Sequence, residues 1–370
     1  MTAQIRAPIV GTCLDMCPPN ELKWREEKGL LHEFEITRES EWVWTFREKT
    51  NREKDNDPYG THTPAVASLI HFFVFVSRFR PKADKRKVVK QFSRSSAGQP
   101  MQSAEELRPI KVLVKTCDYL LSKVAVRDSV PWNVVYDYIF DRLRSVRQDM
   151  SIQCSDDIQC LTVLEQCIRF HIYSDYYFGA EEVRLYDRHI NDTHLRECLQ
   201  SLLKRYEQLE GTDSANNRPL FESIYLIYNL GSNDALLRYG TLPSRLQRHG
   251  LVRKSYRLAL NYDKRLYYQC IQTLAAIKPP ILALLASTKL PKLFHMAIKT
   301  MSFAYHSPNT KFPVSTVSQW LCPFESNAQT AEEYIEKLCQ SYGLVVVNGC
   351  VGFNKTKFAE TPQLVNPLNE

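Results

Sequence analysis

The stretch Thr330-Ala331-Glu332-Glu333-Tyr334-Ile335-Glu336-Lys337-Leu338-Cys339-Gln340-Ser341-Tyr342-Gly343-Leu344-Val345-Val346-Val347-Asn348-Gly349-Cys350-Val351-Gly352-Phe353 changes pattern three times. Thr330 to Glu333 has the form of a capping box, in which the Thr hydroxyl and the Glu carboxylate each satisfy a free backbone N–H. Tyr334, Ile335, Leu338 and Tyr342 then recur at helical spacing until Gly343 stops the helix. Leu344–Val347 reads as a strand, Asn348-Gly349 as a two-residue hairpin turn and Cys350–Phe353 as the returning strand. A short helix is predicted just upstream, over Val314–Leu321. Helix, helix, hairpin is the order of a winged helix. Residues 287–360 are therefore assigned to such a module and 361–370 to a tail.

Upstream, the signal is helical from Ser103 to about Ala286. Pro109 stands where a helix begins, and Ile110, Leu113, Val114, Cys117, Leu120, Leu121 and Val124 follow at three-and-four spacing. Pro131 opens the next helix, with Trp132, Val135, Ile139, Leu143, Val146 and Met150 on its inner face. Ile158 to Ile172 marks a third and Leu195 to Leu209 a fourth. Further helices are predicted near 219–230, 234–249, 251–260 and 264–286. Each apolar stripe must be buried on a neighbour, so stacked helical hairpins over 82–286 are the economical arrangement. Residues 1–36 read as an extended leader running into a charged segment. Residues 37–81 read as an atypical insertion, because the apolar run Leu69–Val76 has no neighbouring strand to pair with.

Composition agrees with a mainly α chain. Only 12 of 370 residues are Gly, under half the usual ~7%. Sheet-rich and dinucleotide-binding folds spend glycine on turns. Aromatic residues make up 11%, too many for a chain that is disordered throughout. The 11 cysteines are odd in number and irregular in spacing, and no charged-then-apolar leader opens the chain, so reduced thiols are expected. The longest apolar run is too short to cross a bilayer.

Catalytic patterns are missing. There is no nucleophile elbow, phosphate-cradling glycine loop or paired-histidine metal motif, and no cofactor is implied. Cys13 and Cys17 lack the second ligand pair of a structural zinc site. His171 and His189 read as satisfied helix residues. The acids and bases of Asp137, Asp141, Arg142, Arg144, Arg147 and Asp149, with Glu165 and Arg169 on the following helix, predict a structural ion-pair network between helices. The net charge of +7 is locally concentrated: eight cations lie between Arg78 and Arg94. A second group, Arg245, Arg248, Arg253, Lys254 and Arg257, contains no carboxylate, and Lys355 and Lys357 follow the hairpin. Such groups suit a phosphate backbone, giving salt-sensitive affinity for RNA or DNA without sequence specificity. Trp320, Phe324, Tyr342 and Phe353 give the last module more aromatic area than it can easily hide, which makes them candidates for a partner interface.

Several motifs, in order, resemble the germinal-centre-associated nuclear protein (GANP), or suppressor-of-actin, family. They are Gly11-Thr12-Cys13-Leu14-Asp15-Met16-Cys17-Pro18 with Arg25-Glu26, Val89 to Gly98, Leu107-Arg108-Pro109, Tyr119-Leu120-Leu121, Asp141 to Asp149, and Arg169-Phe170-His171-Ile172. The leader departs from the pattern at Pro19 and Leu22, and residues 37–81 fit no part of it. The resemblance implies a PCI-like helical scaffold without catalysis, acting in messenger-RNA export from nucleus to cytoplasm. It also implies a PCI-domain partner, a small acidic Sem-type subunit and bound nucleic acid. Phenylalanine–glycine repeats, an acetyltransferase region and a centrin-binding helix are not seen in this sequence. In that respect it resembles the short family member linked to centrosome duplication and spindle assembly in cell division, so a centrosomal role is the alternative.

Overall fold

The computed structural model describes residues 9–37, 40, 81–94, 103–153, 157–179, 185–209 and 216–360. The fold is mainly helical with one small antiparallel sheet, and it divides into two compact units, residues 1–167 and 168–370.

In the first unit the leader is not extended throughout. Pro19–Lys28 forms helix α1, with Pro19 in its first turn, and ends at Gly29. It was invisible to an apolar-stripe search because the one side chain that α1 buries is Arg25. Helix α2 (Ile110–Tyr119) continues into a π turn over Leu120–Val124 and packs on α3 (Trp132–Ile152). Pro109 and Pro131 are the residues that precede these helices.

Four of the quoted motifs, those around Gly11–Pro18 with Arg25, Val89, Leu107–Pro109 and Asp141–Asp149, meet inside this unit. Gly11 donates its N–H to Gln153 Oε1 at 2.9 Å, and a Cβ there would meet the Leu107 carbonyl oxygen at 2.5 Å. Only glycine fits so close to a neighbouring chain. Arg25 pairs with buried Glu35 and donates to the Val89 carbonyl at 3.0 Å. Glu35 also accepts from Arg142 and from the Tyr138 hydroxyl, both at 3.1 Å. Asp149 pairs with Lys90 and with Arg108 Nε, each at 2.7 Å. Arg108 further reaches the Met16 carbonyl and Ser145 Oγ. An ionic network is present in which Arg142 and Asp149 of α3 meet Glu35, Lys90 and Arg108 from earlier segments, rather than the following helix named by the sequence, and Arg142 also pairs with Asp141 beside it. Arg144 also lies over the Phe92 ring, 3.9 Å from its centroid. Each buried charge faces an opposite charge, the condition under which such a cluster is tolerated.

Most of the segment 37–81 lies outside the described residues, including Leu69–Val76. Its two ends are fixed. Ile36 and Ala83 form a β-bridge, Thr37 N–H donates to the Lys82 carbonyl at 2.9 Å, and Lys82 N–H donates to Ser40 Oγ at 3.1 Å.

Helix α4 (Gln159–Phe178) leads into the second unit, which continues with α5 (Arg188–Gln208), α6 (Arg218–Tyr228), α7 (Asn233–Thr241), α8 (Ser244–Arg248) and α9 (Gly250–Asp263). Then come α10 (Tyr267–Ala275), α11 (Pro280–Ser287) and α12 (Leu290–Ala304). Helix α6 packs on α5 and α7 and also holds α9 and α11, and from α8 to α12 each helix packs on the next. The helices predicted over 234–249 and 264–286 are each broken at a proline, Pro243 and Pro279, which has no N–H to continue a helical ladder. Helix α12 was not anticipated, although Leu290, Leu293, Phe294, Ala297 and Ile298 carry its buried stripe. No single described helix is long and apolar enough to cross a membrane.

The chain ends in strand β1 (Phe312–Pro313), helices α13 (Val314–Leu321) and α14 (Ala328–Ser341), and strands β2 (Val345–Val347) and β3 (Cys350–Gly352). The sheet order is β1-β3-β2, with Phe312 opposite Val351 and Val346 opposite Val351 on the other side. Asn348 (φ 50°) and Gly349 (φ 66°) form the hairpin turn, both left-handed as a type I′ turn demands. Helix α14 begins one turn before the expected capping box. Asn327 is the cap, its side chain accepting from Gln329 N–H and Thr330 N–H.

Candidate nucleic-acid interface

The cations of α8 and α9 are presented by the way these helices are anchored. Leu246 and Val252 enter an apolar cluster with Leu226, Ala235 and Leu242. Gln247 donates to the Tyr239 carbonyl and the Tyr239 hydroxyl donates back to the Gln247 carbonyl, both at 3.0 Å. Tyr239 in turn stacks on Tyr256 of α9 with centroids 3.7 Å apart. Helix α8 is thereby clamped with Arg245 and Arg248 outward. Val252, Ser255, Leu258 and Ala259 are the buried side of α9, so Arg253, Lys254 and Arg257 face solvent. All five predicted cations are exposed, and among the described residues none pairs with a carboxylate.

These five belong to a larger asymmetry that local inspection missed. Residues 235–324 contain thirteen Lys or Arg and a single acid, Asp263, a local charge of +12 in a chain whose total is +7. The remainder therefore carries −5. Counting charge over a ninety-residue window, rather than over short runs, is the signal that finds it. On α9 the stripe Arg253, Arg257 and Lys264 recurs at helical spacing and leads to Arg265, which is also exposed.

Other predicted residues are dispersed. Lys355 and Lys357 are exposed on a turn after β3, organised by Asn354 Oδ1, which accepts from the N–H groups of Thr356 and Lys357. Of the Arg78–Arg94 group, Lys90 is buried against Asp149 and unavailable to a phosphate, while Lys82, Lys85, Arg86 and Arg94 are exposed. Arg78 and Arg80 lie outside the described residues.

The aromatic set divides in two. Tyr342 and Phe353 are fully buried, which removes them from any exposed partner surface. Tyr342 stacks on Phe358 at 5.2 Å, and burial pushes its hydroxyl up to about 12. Phe353 packs on Phe312 at 5.7 Å. Trp320 and Phe324 stay partly exposed. The residues were aromatic enough for an interface, but β3 and the turn after it need them inside.

Cys13 and Cys17 are both buried, and burial pushes both thiols up. Among the described residues no group of His, Cys, Asp or Glu has metal-binding geometry. His171 is buried and pairs with Asn191 Oδ1 at 2.7 Å, an amide and not a carboxylate. Cys160 and Cys167 are buried, and Cys154 lies outside the described residues.

Comparison with known proteins places the whole arrangement. The chain is similar to SAC3 family protein 1 of Schizosaccharomyces pombe, 25% identical over 375 residues that cover 95% of this chain and 32% of the relative. It is also similar to Protein xmas of Drosophila melanogaster, 27% identical over 272 residues covering 70% of this chain and 13% of that protein. SAC3 family protein B of Arabidopsis thaliana is 26% identical over 204 residues, 54% of this chain and 10% of the relative. The chain thus spans a third or less of the length of these relatives. Residues 67–348 match the SAC3/GANP family, so the match begins inside the stretch read as an insertion and takes in its last part. With about three quarters of its length inside that match, the chain belongs to the SAC3/GANP family.

Proposed function

We propose that the chain is a non-catalytic scaffold of a messenger-RNA export complex that holds a PCI-domain protein, a small acidic Sem-type subunit and nucleic acid. Residues 82–286 are read as its PCI-like scaffold, and residues 287–360, which hold α12 and β1-α13-α14-β2-β3, as its winged-helix module. One observation carries the nucleic-acid half: the +12 segment exposes five cations on α8 and α9 with no carboxylate partner among the described residues. Exposed cations without a carboxylate partner are suited to a polyanion, because each contact releases a condensed counterion. Family membership supports the export setting.

The test is to recover the protein from cells and identify what accompanies it. A PCI-domain protein together with polyadenylated RNA is the expected result. Replacing Arg253, Lys254 and Arg257 with glutamate should remove the RNA and leave the protein partner. Centrosomal proteins without RNA would overturn the export reading in favour of a spindle role.

A further inference from the structure

We propose that a groove at the C-terminal end of α9 is a stacking site for an unpaired base, making this protein a binder of single-stranded nucleic acid in particular. The inference rests on the nucleic-acid reading above and adds to it a ligand class and a site. The groove has a volume of about 490 Å³ and is bounded by the α9–α10 corner, α12 and α13. Its lining includes Arg265, Gln269, Tyr268, Tyr305 and Trp320, of which Arg265, Tyr268, Gln269 and Tyr305 are exposed. Sites for small molecules span roughly 300–1,000 Å³, so a base with its ribose fits.

Three features select this occupant. Large rings stand open to solvent where a folded chain would normally cover them: Tyr268 is 52% exposed and Tyr305 39%. Tyr305 and Trp320 both pack against Phe312, with ring centroids 4.6 and 6.0 Å away, which restricts how far either ring can turn. Second, the approach is cationic. The stripe Arg253, Arg257 and Lys264 ends at the groove, and from Lys264 to Phe324 the sequence contains no acid. An apolar peptide needs no such approach, whereas a phosphate backbone does.

Third, Arg265 occupies a position that favours glycine. Leu266 N–H donates to the Asn261 carbonyl at 2.8 Å and Arg265 N–H to the Tyr262 carbonyl at 3.0 Å, the paired bonds of a Schellman cap. Arg265 takes the left-handed residue of that cap, at φ 59°. Helix α1 ends with the same two bonds but has Gly29 there. A side chain in this conformation is unfavourable, and a guanidinium kept there at the mouth of a groove points to a use for it. Arg265 can pair with a phosphate while the base beside it enters the groove. Gln269, which has no side-chain hydrogen bond among the described residues, is placed to meet any base edge. In a duplex both base faces are already stacked, so the groove is closed to it.

The test measures affinity by fluorescence anisotropy for a 15-nucleotide RNA and for the 15-base-pair duplex of the same sequence. Tyr268→Ala should weaken single-strand binding about 5- to 150-fold, the range for loss of one stacked base, with duplex binding unchanged. Tyr268→Trp should retain it. Arg265→Gly should melt no lower than the parent protein yet bind the single strand more weakly, which separates a binding effect from a folding one. The oligonucleotide should also quench tryptophan emission, and Trp320→Phe should abolish that quenching. If Tyr268→Ala weakens neither ligand, or both equally, while glutamates on α9 abolish both, the groove proposal is overturned and the nucleic-acid reading stands. If the parent protein binds neither ligand, both fall. Quenching by a peptide and not by RNA would assign the groove to a protein ligand and overturn the proposal.

Discussion

At the scale of single residues, His32 is the one to test for pH dependence. Its Nδ1 accepts from Phe34 N–H, capping the short turn Glu33–Glu35, and its ring lies against Phe34 and Tyr138. Burial, aided by the nearby charges of Arg142, Arg25 and Arg127, lowers its pKa to about 4 against the ordinary 6.5. The unfolded chain therefore takes up a proton below pH 6.5 while the folded one stays neutral. Stability from this group is complete above pH 6.5 and is lost as pH falls toward 4. Urea unfolding of the parent protein should show a loss of about 1 kcal/mol between pH 7.5 and 5.5 from His32 alone. His32→Asn keeps a good cap and removes the titration, so its stability should fall by that much less over the same interval. Equal pH dependence in the two proteins would show that His32 is not the cause. Glu35 acts in a lower window: burial raises its pKa, but Arg142 and Arg25 outweigh burial and hold it below 4.5. Its contribution is lost only as pH falls below about 4.5. Of these groups, the sequence points only to Arg142 as a member of an ionic network. Arg25, Glu35, Lys90 and Arg108 look like solvated surface charges until the chain is folded, because burial of a charge depends on which distant residue comes to meet it.

At the scale of elements, periodicity worked where a helix buries an apolar stripe and failed where it does not. Helices α2 and α3 each begin just after the proline that marks them, and the Asn348-Gly349 turn follows from its two residues. Helix α1 was lost because it buries an arginine, and the start of α14 was misplaced because two caps compete within four residues. Asn327 makes the observed bonds, so Asn327→Ala should cost about 1 kcal/mol, and Thr330→Ala, at an exposed helical position, under about 0.5 kcal/mol. Thermal melts of the two variants decide this, and a larger loss from Thr330→Ala would restore the capping box. The segment after Ser40 is a second element-scale question. Thr37, Ser40, Lys82 and Ala83 close a neck, so the excisable part is narrower than 37–81 and runs from residue 41 to 80. Replacing 41–66, or 41–80, with a short Gly-Ser linker should leave the melt within a few degrees. A fall of more than about 10 °C, a multi-kilocalorie loss for a chain of this size, would place the excised residues in the core. If only the longer excision causes it, residues 67–80, which lie within the family match, are the part that packs.

At the scale of the whole molecule, charge distribution matters more than any one cation. A chain of +7 would bind a polyanion weakly if its charges were evenly mixed, but here residues 235–324 hold +12 and the rest opposes them with −5. The segment should therefore attract a phosphate chain more strongly than the mean charge of the chain suggests. Salt dependence measures how many cations take part, since each phosphate contact on a single strand contributes roughly 0.7 to the slope of log affinity against log salt concentration. Replacing Arg253, Lys254 and Arg257 with glutamate should flatten that slope by about 2 for single-stranded RNA if all three touch phosphates. Lys355→Glu with Lys357→Glu tests the turn after β3 separately, and should flatten it by about 1.4 if both lysines touch the same strand. If the two sets share no phosphate, the combined variant should show the sum of the two changes. An unchanged slope in the second pair, with a reduced one in the first, would confine the nucleic acid to α8, α9 and the groove beyond them. An unchanged slope in both would mean that these cations are only solvated, and the nucleic-acid function would have to be given up.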